Sequence, residues 1–151
     1  MTGSEKEEEM LKEQAEMYAR EKNCNCAEST LLAAGDEYDL GLRSGDAALM
    51  GGFGGGLASG LACGALCGSL AALGKMLLHG PAHETPEFRG LCAEYVNAFR
   101  EAMGGTDCRE IRSLYFEPGK GCVKAIAKNA ELLEQFIASH GLTKAGGQAE
   151  K

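Results

Sequence analysis

Apolar positions recur at helical spacing along most of the chain, and no segment alternates apolar with polar residues long enough to predict a strand. Leu11, Ala15 and Tyr18 share one face of residues 5–20, which predicts an amphipathic helix whose glutamates face water. Asn25 with Glu28 three residues later has capping-box spacing and predicts a second helix through the apolar residues 27–34. Gly35, Gly41 and Gly45 punctuate the turn that follows, and Ser44 or Asp46 is placed to cap a short helix over residues 47–50.

Residues 47–74 contain no charge, and five glycines crowd positions 51–56. Those glycines break regular structure, so the next helix is expected from Ser59 toward His79. Gly60, Gly64 and Gly68 then form a stripe four residues apart, a groove into which another backbone presses, within the chain or across a homodimer. The stretch reads as a buried central helix. A membrane span is the rival reading on length, weakened by the glycines and by the lack of aromatic or basic anchors.

Thr85 as cap and Pro86 at the first helical position open the next helix, with Phe88, Leu91, Cys92, Tyr95, Phe99 and Met103 on its apolar stripe and Gly104 and Gly105 as its stop. Asp107 and Glu110 repeat the capping-box spacing ahead of a short helix ending at Ser113 or Leu114. Pro118 and Gly119 make a turn, and a last helix runs over residues 122–139 with Ile126, Ala130, Leu133 and Ile137 inward and Gly141 as its stop. The pattern predicts an all-α single domain, a compact bundle of about five to six helices around the glycine-rich central one. The tails, roughly residues 1–5 and 144–151, are expected to fray.

Composition narrows the partners. The 151 residues are 44% hydrophobic and 25% charged, ordinary for a globular domain, and the net charge of -7 argues against nucleic acid or an anionic membrane surface. A redox protein or a small-molecule electron donor or acceptor fits better. The acidic opening holds no apolar run, so no secretory signal is read there and a reducing cytoplasm is expected. In that compartment seven cysteines point to metal ligation or redox chemistry rather than structural disulfides.

Placed on the helices, the cysteines show a pattern. Cys26, Cys108 and Cys122 fall at predicted helix starts, and Cys63 does too if the glycine run is not helical. Exposed backbone N–H groups there are expected to lower a thiol's pKa from about 8.5 toward neutrality. Four such thiolates around one point suit an iron-sulfur cluster. Cys92 reads as core packing, Cys67 as packing, spare ligand or resolving thiol, and Cys24 as an exposed accessory. There is no paired C-x-x-C zinc ribbon and no C-x-x-C-H haem site. His79 and His83 straddle Pro81 and read as a polar turn, His140 as a charge near C-terminal carbonyls, and the glycine run lacks the Gly-Lys-Ser/Thr ending of a phosphate loop. Those glycines are expected to bend the backbone close to Cys63 or a cofactor.

The run Cys63-Gly64-Ala65-Leu66-Cys67-Gly68, with Cys26 upstream and Cys108 and Cys122 downstream, resembles the C_GCAxxG_C_C family of redox-active proteins. The Asn25-Cys26-Ala27 opening, Phe53-Gly54-Gly55-Gly56 and Asp107-Cys108-Arg109-Glu110 after a double glycine are similar as well. The resemblance covers residues 25–136 and implies Cys26, Cys63, Cys108 and Cys122 as the family cysteines. A similar domain accompanies haem and an iron-sulfur centre in split-Soret cytochromes; only the cysteine domain is similar here, without the haem part. Cys24, Cys67 and Cys92 are additions to the four-cysteine pattern.

The sequence therefore leads to a redox-active protein whose Cys26, Cys63, Cys108 and Cys122 bind an iron-sulfur cluster, as an oxidoreductase or electron-transfer component. A metal-free thiol-disulfide couple and a zinc-binding structural or regulatory module are the alternatives.

Overall fold

A computed structural model describes residues 3–144, with side chains from residue 11 onward. Its helices are α1 (Gly3–Glu21), α2 (Cys26–Glu37), α3 (Gly64–Leu77), α4 (Glu87–Met103), α5 (Cys108–Tyr115) and α6 (Val123–Ser139). Shorter helical turns cover Asp46–Phe53, Gly56–Gly60 and Ala82–Glu84. Among the described residues there is no strand, only isolated bridges between Ala62 and Asp107 and between Glu117 and Gly121. The all-α expectation holds. Residues 1–2 and 145–151 of the expected frayed tails lie outside the described residues, whereas Gly3 to Glu5 belong to α1.

Helix α2 starts as its sequence dictates. Glu28 N–H donates to Asn25 Oδ1 and Asn25 N–H donates to Glu28 Oε1, both at 2.8 Å, so each satisfies a backbone or side-chain group the other leaves open. Asp46 caps nothing: its carboxylate accepts the Arg43 N–H at 2.7 Å, and the turn after it starts from left-handed Gly45. Pro86, not Thr85, is the N-cap of α4, because Thr85 closes the preceding Ala82–Glu84 turn.

The largest departure is at α3, which begins at Gly64 rather than near Ser59. Gly55, Gly56, Leu57 and Ala58 all adopt left-handed backbone, and Leu61 N–H closes the turn onto the Gly56 carbonyl at 2.8 Å. Gly60 is thus off the helix, and only Gly64 and Gly68 of the expected stripe remain on it. Gly56 is the position that needs glycine most: it has φ +67°, and a Cβ there would stand 2.5 Å from Cys108 Cβ.

Helix α3 packs against α2, α4 and α6, while α1 lies against α2 and α6. The core takes Leu66, Leu73 and Met76 from α3, Tyr95, Phe99 and Met103 from α4, and Leu133, Phe136 and Ile137 from α6. Leu11 and Ala15 of α1 close over Ala33, Ile126 and Ala130. Of the predicted α4 stripe, Phe88, Leu91 and Cys92 are only partly buried. A polar knot joins three helices inside this core: Tyr95 Oη donates to Asn129 Oδ1 at 2.6 Å, and Asn129 Nδ2 donates to Ser69 Oγ at 3.0 Å. No helix among the described residues is long and apolar enough to cross a membrane.

Candidate functional site

Small residues and short backbone ties bring distant parts of the chain to one place. The segment before α3 runs antiparallel to the segment before α5, with Cys63 N–H donating to the Thr106 carbonyl at 2.8 Å and Cys108 N–H donating to the Leu61 carbonyl. Cys63 and Cys108 each follow a residue of the Ala62–Asp107 bridge. Cys63 is the N-cap of α3, and Cys108 is the first residue of α5. On the other side, Cys26 opens α2, and its Sγ lies so close to the Cα of Gly64 that any Cβ there would overlap it. The same added Cβ would meet the Phe53 carbonyl at 3.0 Å and the Ala27 nitrogen at 3.2 Å. Cys122 caps α6, delivered by a tight turn in which Glu117 and Gly121 exchange backbone hydrogen bonds at 2.9 and 2.8 Å.

The thiols sense one another. The charge of Cys26 bears on Cys63, Cys67, Cys108 and Cys122, and the charge of Cys108 on Cys63 and Cys122. Cys63 is buried while Cys26, Cys67, Cys108 and Cys122 are partly exposed, so the group opens to solvent on one side. Cys24 and Cys92 stand apart from it. The Cys24 thiol donates to the Lys22 carbonyl at 3.8 Å and burial, with Glu28 nearby, raises its pKa. On Cys92, burial alone acts.

The expected depression of thiol pKa at helix starts does not occur at Cys63, Cys108 or Cys122. Burial pushes Cys63 up to about 12; the N–H groups of Leu66 and Ala65 pull the other way, and the charges of Cys26 and Cys108 add to the rise. Cys108 is raised by burial and by Cys26, against a lowering by Arg112. Cys122 is raised chiefly by burial, with Arg112 again opposing and Cys108 and Cys26 reinforcing. Removing an ion from water outweighs the helix-end N–H groups when the sulfur is covered and its neighbours are also sulfurs. Without a bound cation these three sulfurs are thiols at neutral pH.

Arg112 escaped the sequence reading, although its spacing of four from Cys108 places both on one face of α5. Its guanidinium stacks 4.3 Å from the centre of the Phe116 ring, beside Cys108 and Cys122. Tyr95, which also lies close enough to feel the Cys63 charge, gave no sign in the sequence beyond its place on the α4 stripe. His140 is where the sequence put it: it caps α6, with Nδ1 3.0 Å from the Phe136 carbonyl and Nε2 3.2 Å from Glu94.

Chemically, Cys26, Cys63, Cys67, Cys108 and Cys122 are five soft sulfurs from four separate elements, with Arg112 at their edge. Such a set fits a thiophilic metal group. Among the described residues no three His, Cys, Asp or Glu side chains are gathered to hold a single ion. Against families of known proteins, residues 24–136 match the one described as "Putative redox-active protein (C_GCAxxG_C_C)". No curated protein and no solved structure matches the chain.

Proposed function

The chain belongs to the C_GCAxxG_C_C family, and on that premise we propose that Cys26, Cys63, Cys108 and Cys122 hold an iron-sulfur cluster through which the protein passes electrons in the cytoplasm. One observation supports this reading: Cys63, Cys108 and Cys122, from α5 and the caps of α3 and α6, all lie within electrostatic reach of Cys26 at the start of α2, and the group is partly open to solvent. When bound, a cluster supplies one-electron chemistry that these side chains lack. Zinc on the same four thiolates would supply folding free energy and no electron transfer, and the redox-active description of the family favours a cluster over it.

The protein's own residues supply the rest. The Leu66 and Ala65 N–H groups donate to the Cys63 sulfur and stabilise negative charge on it. Arg112 offsets charge at Cys108 and Cys122. The covered position of Cys63 keeps water from one side, and the exposed side leaves a route for a redox protein or a small donor or acceptor.

The test is purification without oxygen, followed by iron, acid-labile sulfide and zinc per chain and a visible spectrum. Iron with matching sulfide and absorption that bleaches on reduction is the expected result, lost on Cys→Ser at 26, 63, 108 or 122 and kept in Cys24→Ser and Cys92→Ser. Stoichiometric zinc without sulfide, or a fully reduced protein that stays colourless and takes up no iron and sulfide, overturns it.

A further inference from the structure

Cys67 lies outside the four-cysteine pattern and has no part in the reading above, yet its sulfur belongs to the same group. Cys26 Sγ rests on the bare Cα of Gly64. Side chains on a helix lean toward its N-terminus and cover the turn before their own Cα. Cys67, three residues after Gly64 on α3, therefore lays its sulfur over the turn where Cys26 sits. Cys26 is the thiol whose charge Cys67 feels. The backbones also approach closely, since a Cβ on Gly68 would stand 2.6 Å from the Ala27 carbonyl oxygen. A disulfide needs such an approach, with Cα atoms about 4.4–6.8 Å apart. Cys67 is partly exposed and within reach of small reagents, whereas Cys63 is only 5% exposed.

We propose that Cys26 and Cys67 join as a disulfide in the cluster-free protein, and that this bond closes the site to its cofactor until two equivalents of a small-molecule thiol reduce it and leave as the small disulfide. The oxidant is a small-molecule disulfide. Cys67 loses its proton to solvent and attacks one sulfur of that molecule; its S–S bond breaks and one thiolate leaves and takes up a proton. Cys26, deprotonated in turn, attacks the Cys67 sulfur of the mixed disulfide and expels the second small thiolate, which is also protonated. Two protein thiols lose two electrons and two protons, and the small disulfide gains both as two thiols. With its sulfur in that bond, Cys26 is withdrawn from the four that hold the cluster. The second half of the proposal rests on the cluster reading; the first does not.

The experiment oxidises metal-free, reduced protein with oxidised glutathione, alkylates the remaining thiols and maps tryptic peptides. Trypsin leaves Cys24 and Cys26 together on residues 23–43, and Cys63 and Cys67 on residues 44–75, so fragmentation within the linked pair assigns the bond. A Cys26–Cys67 link is expected, and it disappears in Cys67→Ser. A Cys26–Cys63 link, a Cys24 link, or no link between these peptides overturns the pairing. In a second arm, oxidised wild type is expected to take up iron and sulfide at least tenfold less than reduced wild type, with Cys67→Ser unaffected by the oxidant. Equal uptake by both wild-type forms overturns the blocking role. If neither wild-type form nor Cys67→Ser takes up iron while the Cys26–Cys67 link forms, the cluster reading and the block fail and the disulfide stands.

Discussion

Cys63 is the sulfur most removed from water, and its burial decides its chemistry. With the folded pKa raised from 9.0 to about 12, the folded protein keeps a proton that the unfolded chain gives up. Its contribution to stability is therefore complete below pH 9 and fades as pH rises toward about 12. In metal-free protein the urea midpoint should fall across that alkaline window, and fall less in Cys63→Ser; equal slopes in both proteins would remove Cys63 as the cause. At this scale the sequence was half legible. The four helix-start cysteines could be located from caps and glycines, but the sign of their pKa shift could not, because it depends on how much protein covers each sulfur. Cys67 shows the same limit: the sequence left it as packing, spare ligand or resolving thiol, and only the seat of Cys26 on Gly64 gives it a neighbour.

Between elements, the contact of α2 with α3 and the left-handed turn before α3 matter most. Gly64→Ala would drive a methyl group into Cys26 Sγ and against the Phe53 carbonyl. Overpacking of this kind costs about 1–3 kcal/mol. A lower urea midpoint at unchanged slope, together with lost iron, is the expected result. Ala58 is exposed with φ +58°, a conformation that costs a non-glycine residue roughly 1–2 kcal/mol. Glycine removes that cost and adds about 0.5–1 kcal/mol of unfolded-chain entropy. Ala58→Gly should therefore stabilise the protein by about 0.5–1 kcal/mol, a gain that a thermal melt can register and that a loss would contradict. The capping boxes made the starts of α2 and α5 readable, since side chain and backbone there satisfy each other locally. The start of α3 was not readable, because left-handed backbone at Leu57 and Ala58 is imposed by the packing of Gly56 on Cys108, which lies far away in sequence.

For the whole molecule, the buried Tyr95–Asn129–Ser69 knot ties α3, α4 and α6 together behind Cys63. Tyr95→Phe takes one of two hydroxyl donors from Asn129 Oδ1 and leaves the Ser69 hydroxyl, so the loss should be that of one ordinary hydrogen bond, about 0.5–1.5 kcal/mol. A matching drop in unfolding free energy, with a less cooperative melt, is expected from calorimetry; an unchanged stability would show that the knot contributes nothing to the fold. The all-helical class was legible from periodicity alone. The mutual placement of the helices was not, since it follows from which small residues meet across the core.

The sulfurs at positions 26 and 122 lie far apart in the sequence, and the second is held by α6, which follows the elements that carry the others. A nascent polypeptide therefore carries its early thiols without their eventual companions. On the reading proposed above, a group held by all four is gripped only once α6 has packed, and local opening of α6 should let it go.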